Sequence, residues 1–504
     1  MTYASSFRLL AAALVGLFFY SWSNGTVLAG TGGDDATYWL TANFFSPYSE
    51  PLLPAAQVAQ RSLYPPLYPW VLAIFGGGES VLSAHRITAG ILLGALVVLY
   101  QCGRRLGLTA NKALALVILF AGCRVTLLEG LDLHSEHLYL LLSVGAIALV
   151  INARERPVPL LLAALAVTGA YFTRTFGLTL CASFVLWLVF THPPGGWRYG
   201  LVVIAPIVLW SAFHSGSGTY VSDLLGSYAG NSIVGQLTNN LLQLQIAWLG
   251  CFGEIGQPGF FPLVPLILAI FCVLGTVHRL RTGAFDGLYV PAYLTLLLIW
   301  PYPVEYERLL YPILPVALLQ GAVGTLALSE SFSRAGYAVL MALLLAAVIP
   351  FALLVQARLA APPEDSGYQP YLRTRAWYLS DPVLAFTNLA YQRALIEALQ
   401  DVRQQARVPK DACLLATKPA LVALYTEVQV DGLPAFTLSN RELERVIRNG
   451  RCQYLFMMMS ISPAFPQAYF PYRRIGSRLT VLAAYRSPMF GFDNPAALLA
   501  HLPP

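Results

Sequence analysis

Charge is scarce in this sequence. Of 504 residues only 11% are Asp, Glu, Lys or Arg, where a soluble globular chain carries about a quarter. A chain this long cannot cover its surface with so few water-compatible groups. With 57% of its residues hydrophobic, burial in a bilayer is the remaining arrangement. The basic residues are scattered between apolar runs, so the net charge of +6 does not mark a nucleic-acid partner. The seven cysteines include no Cys-x-x-Cys pair, which excludes a zinc ribbon or a thioredoxin motif. No phosphate-binding Walker loop, G-x-G-x-x-G fingerprint or serine-nucleophile elbow is present, which leaves nucleotide hydrolysis and acyl transfer without support. Internal repeats and low-complexity segments are also missing.

What is present is a series of long apolar runs. The first, residues 7–28, is too long for a signal-peptide core of about 7–15 residues, and reads as a retained helix. A crossing helix takes roughly 20 apolar residues. Runs that qualify centre on Leu14, Leu92, Val117, Leu142, Leu165, Val185, Val203, Leu268, Leu296, Leu318 and Leu344, which predicts about eleven transmembrane helices. A short polar break at Thr173–Thr175 separates the fifth from the sixth. Short cytoplasmic loops carry the excess of Lys and Arg. An inside N-terminus, beside Arg8, puts Arg104, Arg105, Lys112, Arg154, Arg156, Arg198, Arg279, Arg281 and Arg334 on the cytoplasmic side. Arg61, Arg86, Arg124, Arg174 and Arg308 then fall at outer ends and loops.

The long non-membrane segments all lie outside on this topology: residues 29–83, residues 214–261 and the tail. The expected division is a membrane-embedded part over 1–358 and an extracytoplasmic part over 359–504. In the tail charge returns and apolar runs shorten. Gln392–Gln405 reads as an amphipathic helix, and Ala412–Ala416, Gln453–Met458 and Leu479–Tyr485 as strands. A helix is expected from Pro419, and Ser439 reads as the N-cap of another. Alternating helix and strand suggests a small α/β unit. If it is extracytoplasmic, Cys413 and Cys452 can form a disulfide.

The first outer segment opens Gly32-Gly33-Asp34-Asp35-Ala36-Thr37-Tyr38-Trp39. This is good turn chemistry. A carboxylate just outside the membrane can also take a proton from an attacking hydroxyl, and its neighbour can orient it, raise its pKa or help bind a metal. Next comes Tyr64-Pro65-Pro66-Leu67-Tyr68-Pro69-Trp70, whose prolines should prevent a regular helix from starting there. His85, His134 and His137, with Asp132 and Glu136, contain metal-binding residue types, but no His-Glu-x-x-His pattern. They read instead as helix-end polar groups or substrate contacts.

These segments, in this order, resemble the membrane-integral glycosyltransferases of the GT-C class, in particular the protein O-mannosyltransferase and lipid A aminoarabinose transferase group. The resemblance rests on the Gly33-Asp34-Asp35-Ala36 loop, on Pro65-Pro66-Leu67-Tyr68-Pro69, and on His85-Arg86 opening the next long helix. It continues through Ser135-Glu136-His137-Leu138, Thr173-Arg174-Thr175-Phe176-Gly177-Leu178 and Glu307-Arg308-Leu309-Leu310-Tyr311-Pro312-Ile313-Leu314-Pro315. It covers roughly residues 1–330, and departs where Leu309 replaces a tyrosine after the arginine.

The resemblance implies a GT-C-like helical membrane fold and transfer of a hexosyl or pentosyl sugar from a polyprenyl-phosphate carrier. The acceptor would be a hydroxyl of a glycan, lipid or protein at the outer face of a bacterial inner membrane. It implies Asp34 as the base with Asp35 beside it, and Arg86, Arg174 and Arg308 on the donor phosphate. Tyr38, Tyr64, His134, Glu136 and Glu307 are candidate substrate contacts. No cofactor is required by these residues, and a divalent metal stays open. Two other classes compete: a multi-pass transporter or flippase, and a non-enzymatic envelope assembly protein.

Overall fold

A computed structural model describes residues 14–23, 28–29, 33–151, 153, 156–213, 232–327, 330–433, 439–458, 479–486 and 496–501. Arg8, Gly32, Arg154 and the opening of the second outer segment lie outside these residues. Each of the eleven apolar centres falls within a helix. Among the described residues, four helices are long and apolar enough to cross a bilayer: Val81–Arg105, Gly196–Phe213, Leu263–Arg281 and Ser333–Ala360. A fifth crossing is Pro303–Leu310 with Leu314–Leu326, two pieces bent by 58°. Six further apolar helices are shorter, 10–17 residues. The chain is an integral membrane protein, and helix length alone marks four or five crossings rather than eleven.

Local chemistry explains several boundaries. Ser80 caps the Val81–Arg105 helix by accepting from the Ser83 amide, and Arg104 and Arg105 close its last turn, where cations offset the helix dipole. Proline causes the 58° bend: Pro312 lies in the break and Pro315 in the first turn beyond it. Helices approach closely where side chains are small. A Cβ on Gly275 would fall 2.1 Å from the Gln320 carbonyl oxygen, so only glycine fits that crossing.

The first outer segment is more helical than its sequence suggests. Asp34–Phe45 is a helix whose N-cap, Gly33, has φ +98°. The Asp pair therefore sits in a first helical turn, where negative charge is favoured, and not in a free turn. A second correction concerns the proline-rich stretch, which does not prevent a helix. Leu67–Ile74 is helical directly after Pro66. Pro69 is in its first turn, where a missing N–H costs nothing. The second outer segment holds the helix Ile233–Gly250.

After the last long helix, Glu330–Ala360, the chain passes through two 3₁₀ turns, Ser366–Tyr371 and Arg375–Tyr378. The helix Pro382–Gln404 follows, capped by Asp381. Among the described residues five strands form one sheet: β1 Cys413–Ala416, β2 Gln429–Gly432, β3 Tyr454–Met458, β4 Thr480–Tyr485 and β5 Ala497–His501, in the order β2-β1-β3-β5-β4. β1 runs parallel to β2 and β3, and β5 is antiparallel to β3 and β4. Ser439 and Glu442 form a reciprocal capping box on the helix Asn440–Asn449. Cys413 and Cys452 are disulfide-bonded, and the other five cysteines are buried.

Two strands are illegible in sequence. Gln429–Gly432 is short and polar, while Ala497–His501 is Ala/Leu-rich and prefers helix locally. Sheet pairing overrides that preference: Leu498, Leu499 and Ala500 pair with Met457, Phe456 and Leu455 and are buried with them.

Candidate functional site

A cavity of about 640 Å³ opens where the first outer segment, the helix breaks and the tail meet. Gly33, Asp34, Tyr38 and Tyr64 line one wall. The Thr173–Phe176 break, Trp300 and Tyr302 just before the bent crossing, Glu305 and Arg308 within it, and His134 line the rest. Lys418, Pro419 and Ala420 of the tail complete it. Arg174 reaches the cavity because the polypeptide leaves helical geometry there. A Cβ on Gly177 would lie 2.5 Å from the Tyr171 backbone nitrogen, so the tight turn after Arg174 requires glycine.

Successive helical residues point about 100° apart, and this separates the two acids. Asp34, with 21% of its side chain exposed, faces the cavity. Asp35, at 2%, is turned into the protein. Tyr64 donates its hydroxyl to Asp34 Oδ1 at 2.7 Å, and Arg308 Nη1 pairs with Asp34 Oδ2 at 2.8 Å. Arg308 also holds Glu136 through Nε. Arg174 Nη1 meets the same Glu136 oxygen at 2.5 Å and donates to Ser135 Oγ at 3.3 Å. Tyr38 and Ser135 share a hydroxyl hydrogen bond of 3.0 Å.

Burial pushes the Asp34 carboxyl up, but Arg308, His134 and the Tyr64 hydrogen bond outweigh it and hold it below its ordinary value. Asp34 is therefore ionised at neutral pH. Of the roles open to Asp35, repulsion does not set the balance at Asp34, where Arg308 and His134 are the leading charges.

Behind this cavity is a second charged layer. His134 lies 3.2 Å from Asp35 Oδ1 and 2.8 Å from Glu129 Oε2. Burial and Arg308 disfavour its charge, yet Glu129 and Asp35 prevail and raise its pKa well above the usual value. His134 is thus an imidazolium. Arg375, from the tail, pairs with Glu129 and, at 3.0 Å, with Asp132. Burial raises Asp132 to about 7 despite Arg375 and His134. Asp35, His134, Asp132, Arg373, Arg375 and Arg308 line a smaller cavity of about 190 Å³.

One donor atom each from Glu129, His134 and Glu136 lie within 4.8 Å of one another. They do not suit a divalent ion. Glu129 is engaged by His134 and Arg375, and Glu136 by Arg308 and Arg174, so an ion would sit among cations. Cys413, Asp431 and Cys452 form another cluster, but its two cysteines are in the disulfide and offer no thiolate.

The structure therefore brings together Asp34, Tyr38, Tyr64, His134, Glu136, Arg174 and Arg308. Asp35 supports His134 from behind. Two expected members lie elsewhere. Arg86 is exposed on its helix and does not line the 640 Å³ cavity, because its buried neighbour His85 takes the inward position. Glu307 pairs with Arg124 at 2.5 Å, beside Glu254 at 2.8 Å, and lines a separate cavity of about 280 Å³.

Sequence reading missed Arg375 and Lys418. Nothing local distinguishes Arg375. Lys418 carried one usable signal, since the chain has only three lysines, Lys112, Lys410 and Lys418.

ArnT from Cupriavidus metallidurans bound to undecaprenyl phosphate superposes with a TM-score of 0.53 at 13% identity, covering 99% of this chain and 98% of that one. Its apo form gives 0.55 at the same identity and coverage. The archaeal oligosaccharyltransferase AglB from Archaeoglobus fulgidus, in complex with an inhibitory peptide and a dolichol-phosphate, gives 0.51 at 11% identity, covering 97% of this chain and 74% of that one. The chain has the GT-C fold. At such identities the likeness is one of fold. No family model and no curated protein matches the sequence. Within the GT-C fold the charged cavity lies where the first outer segment meets the helix breaks.

Proposed function

We propose that this protein transfers a sugar from a polyprenyl-phosphate carrier to an acceptor hydroxyl at the outer face of the membrane. The observation that carries the reading is Asp34: an ionised carboxylate, open to the cavity, hydrogen-bonded by Tyr64 and sharing Arg308 with Glu136, which Arg174 also holds. The fold adds support, since ArnT binds undecaprenyl phosphate and AglB a dolichol-phosphate in their structures. Further support comes from an apolar cavity of about 280 Å³ that includes Leu310, two residues from Arg308, beside which an isoprenoid chain can lie.

In this mechanism Arg174 and Arg308 hold the donor phosphate with charge-assisted, potentially bidentate hydrogen bonds. The acceptor hydroxyl gives its proton to Asp34 as its oxygen bonds to the anomeric carbon. The carbon–oxygen bond to phosphate breaks, and its electron pair stays on the phosphate oxygen. The guanidinium groups stabilise that charge. A single displacement inverts the anomeric carbon. Asp34 is a weak base while Arg308 clamps it. When Arg308 turns to the donor phosphate the clamp slackens, so the base strengthens as the donor arrives. On this reading the tail is extracytoplasmic, and residues 359–504 form a unit that covers the site.

Mass analysis of envelope glycolipids and glycoproteins from cells with and without the protein tests the reading. A sugar should vanish without the protein and return with the wild type. Asp34→Asn should transfer about 10²- to 10⁴-fold more slowly, the usual contribution of a general base, while inserting normally. An unchanged sugar inventory, or full rescue by Asp34→Asn, would refute it.

A further inference from the structure

Glu307 and Arg308 are adjacent, yet they line different cavities. In the short helix Tyr306–Leu310 neighbouring side chains diverge by about 100°. Arg308 and Glu305 line the 640 Å³ cavity, whereas Glu307 lines the one of about 280 Å³ with Gly250 and Glu254. Val304 lines both. The segment 303–308 therefore parts the two cavities, with Val304 at their junction.

The second cavity is built around one buried cation. Arg124, its side chain 8% exposed, meets Glu307 at 2.5 Å through Nη1 and Glu254 at 2.8 Å through Nη2. It also donates to the Gly250 carbonyl at 2.8 Å. Glu254 is fixed from its other side, where it accepts from the Ser380 amide of the tail at 2.8 Å. A Cβ on Gly250 would lie 2.7 Å from Glu307 Oε2, so glycine makes room for that carboxylate. Both carboxylates are partly open, 22% for Glu254 and 32% for Glu307, while the cation behind them is not. The cavity therefore meets acceptor oxygens, with Ile246, Ile255 and Val304 as apolar wall.

That composition selects a ligand. An anion would face two carboxylates, and a metal ion would sit against the Arg124 guanidinium. A hydroxyl supplies a donor to a carboxylate and brings no charge. The carbon face of a sugar ring suits the apolar wall. The volume is near the lower end for ligand pockets, room for a single ring. We infer that this cavity is an acceptor subsite, holding one sugar ring of a carbohydrate acceptor through hydroxyls donated to Glu254 and Glu307. The inference rests on the sugar-transfer reading and names the acceptor class that reading leaves open. A ring seated here lets the next unit of the acceptor pass Val304 into the cavity of Asp34. Glu254 and Glu307 bind and orient, and take no part in the displacement.

The test uses the full chain in nanodiscs, with the chloroform-soluble lipids of cells lacking the protein as donor. Two preparations of their envelopes serve as acceptors. One is protease-treated, which keeps the sugars. The other is periodate-oxidised, which keeps the protein and opens sugar rings at neighbouring hydroxyls. Transfer is read as sugar gained by the preparation. Wild type should modify the first and not the second. Glu307→Gln leaves Arg124 paired with Glu254. It should raise KM for the first preparation roughly tenfold, the scale of one lost hydrogen bond to a charged group, with kcat and undecaprenyl phosphate binding unchanged. Carbodiimide labelling of carboxyl groups in the wild type, read by mass spectrometry, needs no variant. The first preparation should shield Glu254 and Glu307 and leave Glu397, 55% exposed, labelled as before. Transfer to the periodate-oxidised preparation, or an unchanged KM without shielding, overturns the inference. If wild type modifies neither preparation, the sugar-transfer reading itself fails and the subsite with it.

Discussion

Two of the buried arginine–carboxylate clusters, Arg279 with Asp286 and the network around Asp34, are built on different rules. In the first, Arg279 meets Asp286 in a two-pronged pair, Nε to Oδ2 at 2.9 Å and Nη2 to Oδ1 at 2.6 Å. Gln320 donates to the Asp286 carbonyl at 2.8 Å and to Oδ2 at 3.1 Å, and Thr276 donates to Gln320 at 2.6 Å. One cation answers one anion, and the space beside them is about 210 Å³. In the second cluster nothing is one-to-one. Arg308 spans Asp34 and Glu136, Glu136 is shared with Arg174, and about 640 Å³ lies open beside them. A guanidinium has several N–H donors, so Arg174 and Arg308 can each turn a donor to a phosphate while Glu136 stays shared between them. A saturated pair fastens helices together, whereas a shared network can exchange partners with a ligand.

Three changes test that contrast, beginning with the largest expected effect. Arg279→Met leaves Asp286, 3% exposed, without its cation. Breaking a buried pair from one side costs on the order of 3–5 kcal/mol, read as a lower unfolding temperature in detergent with unchanged transfer per folded molecule. Adding Asp286→Leu should recover most of that stability. A transfer defect in the double variant would erase the distinction between the clusters.

Arg308→Met comes next and should act the other way. Glu136 keeps Arg174, so stability falls little. Loss of the charge-assisted contact to donor phosphate should cost about 1.5–3 kcal/mol, roughly ten- to hundredfold in carrier affinity or transfer rate. Unfolding curves and carrier titrations on the same samples separate the two effects.

The smallest effect concerns the layer behind the cavity. Burial raises Asp132 to about 7, above its unfolded value near 4. A group raised in the folded state contributes stability that is full below the unfolded pKa and is lost as pH climbs through the folded one. Stability should therefore decline between about pH 4 and 7 from this group. Asp132→Asn should flatten that part of the profile, as thermal unfolding across pH would show. An unchanged slope would mean that Arg375 keeps Asp132 ionised throughout.

Much of the helical framework is legible along the chain because apolar periodicity and length are local properties. The runs centred on Leu92, Val203, Leu268 and Leu344 each became a helix long enough to cross, and the polar break at Thr173–Thr175 became the turn that presents Arg174. The tail was readable where local signals were strong, as at Ser439 and Glu442. It was unreadable where pairing decides, as in Ala497–His501, whose strand identity comes from its neighbours Met457 and Phe456.

Within the site, residue type follows from the sequence: an acid pair after the first apolar run and arginines near the ends of apolar runs. Which acid faces the cavity did not. Asp34 and Asp35 are adjacent and alike, and only the helix beginning after Gly33 turns one toward Arg308 and the other toward His134. Arg86 and Glu307 had the same kind of local context as Arg174 and Arg308, yet packing directed one to the surface and the other to Arg124. Arg375 and Lys418 joined from more than 100 residues away in the chain. Burial in a bilayer is a sum over residues, so sequence determines it. The meeting of charges is a matter of distance and direction across the fold, and only tertiary structure decides it.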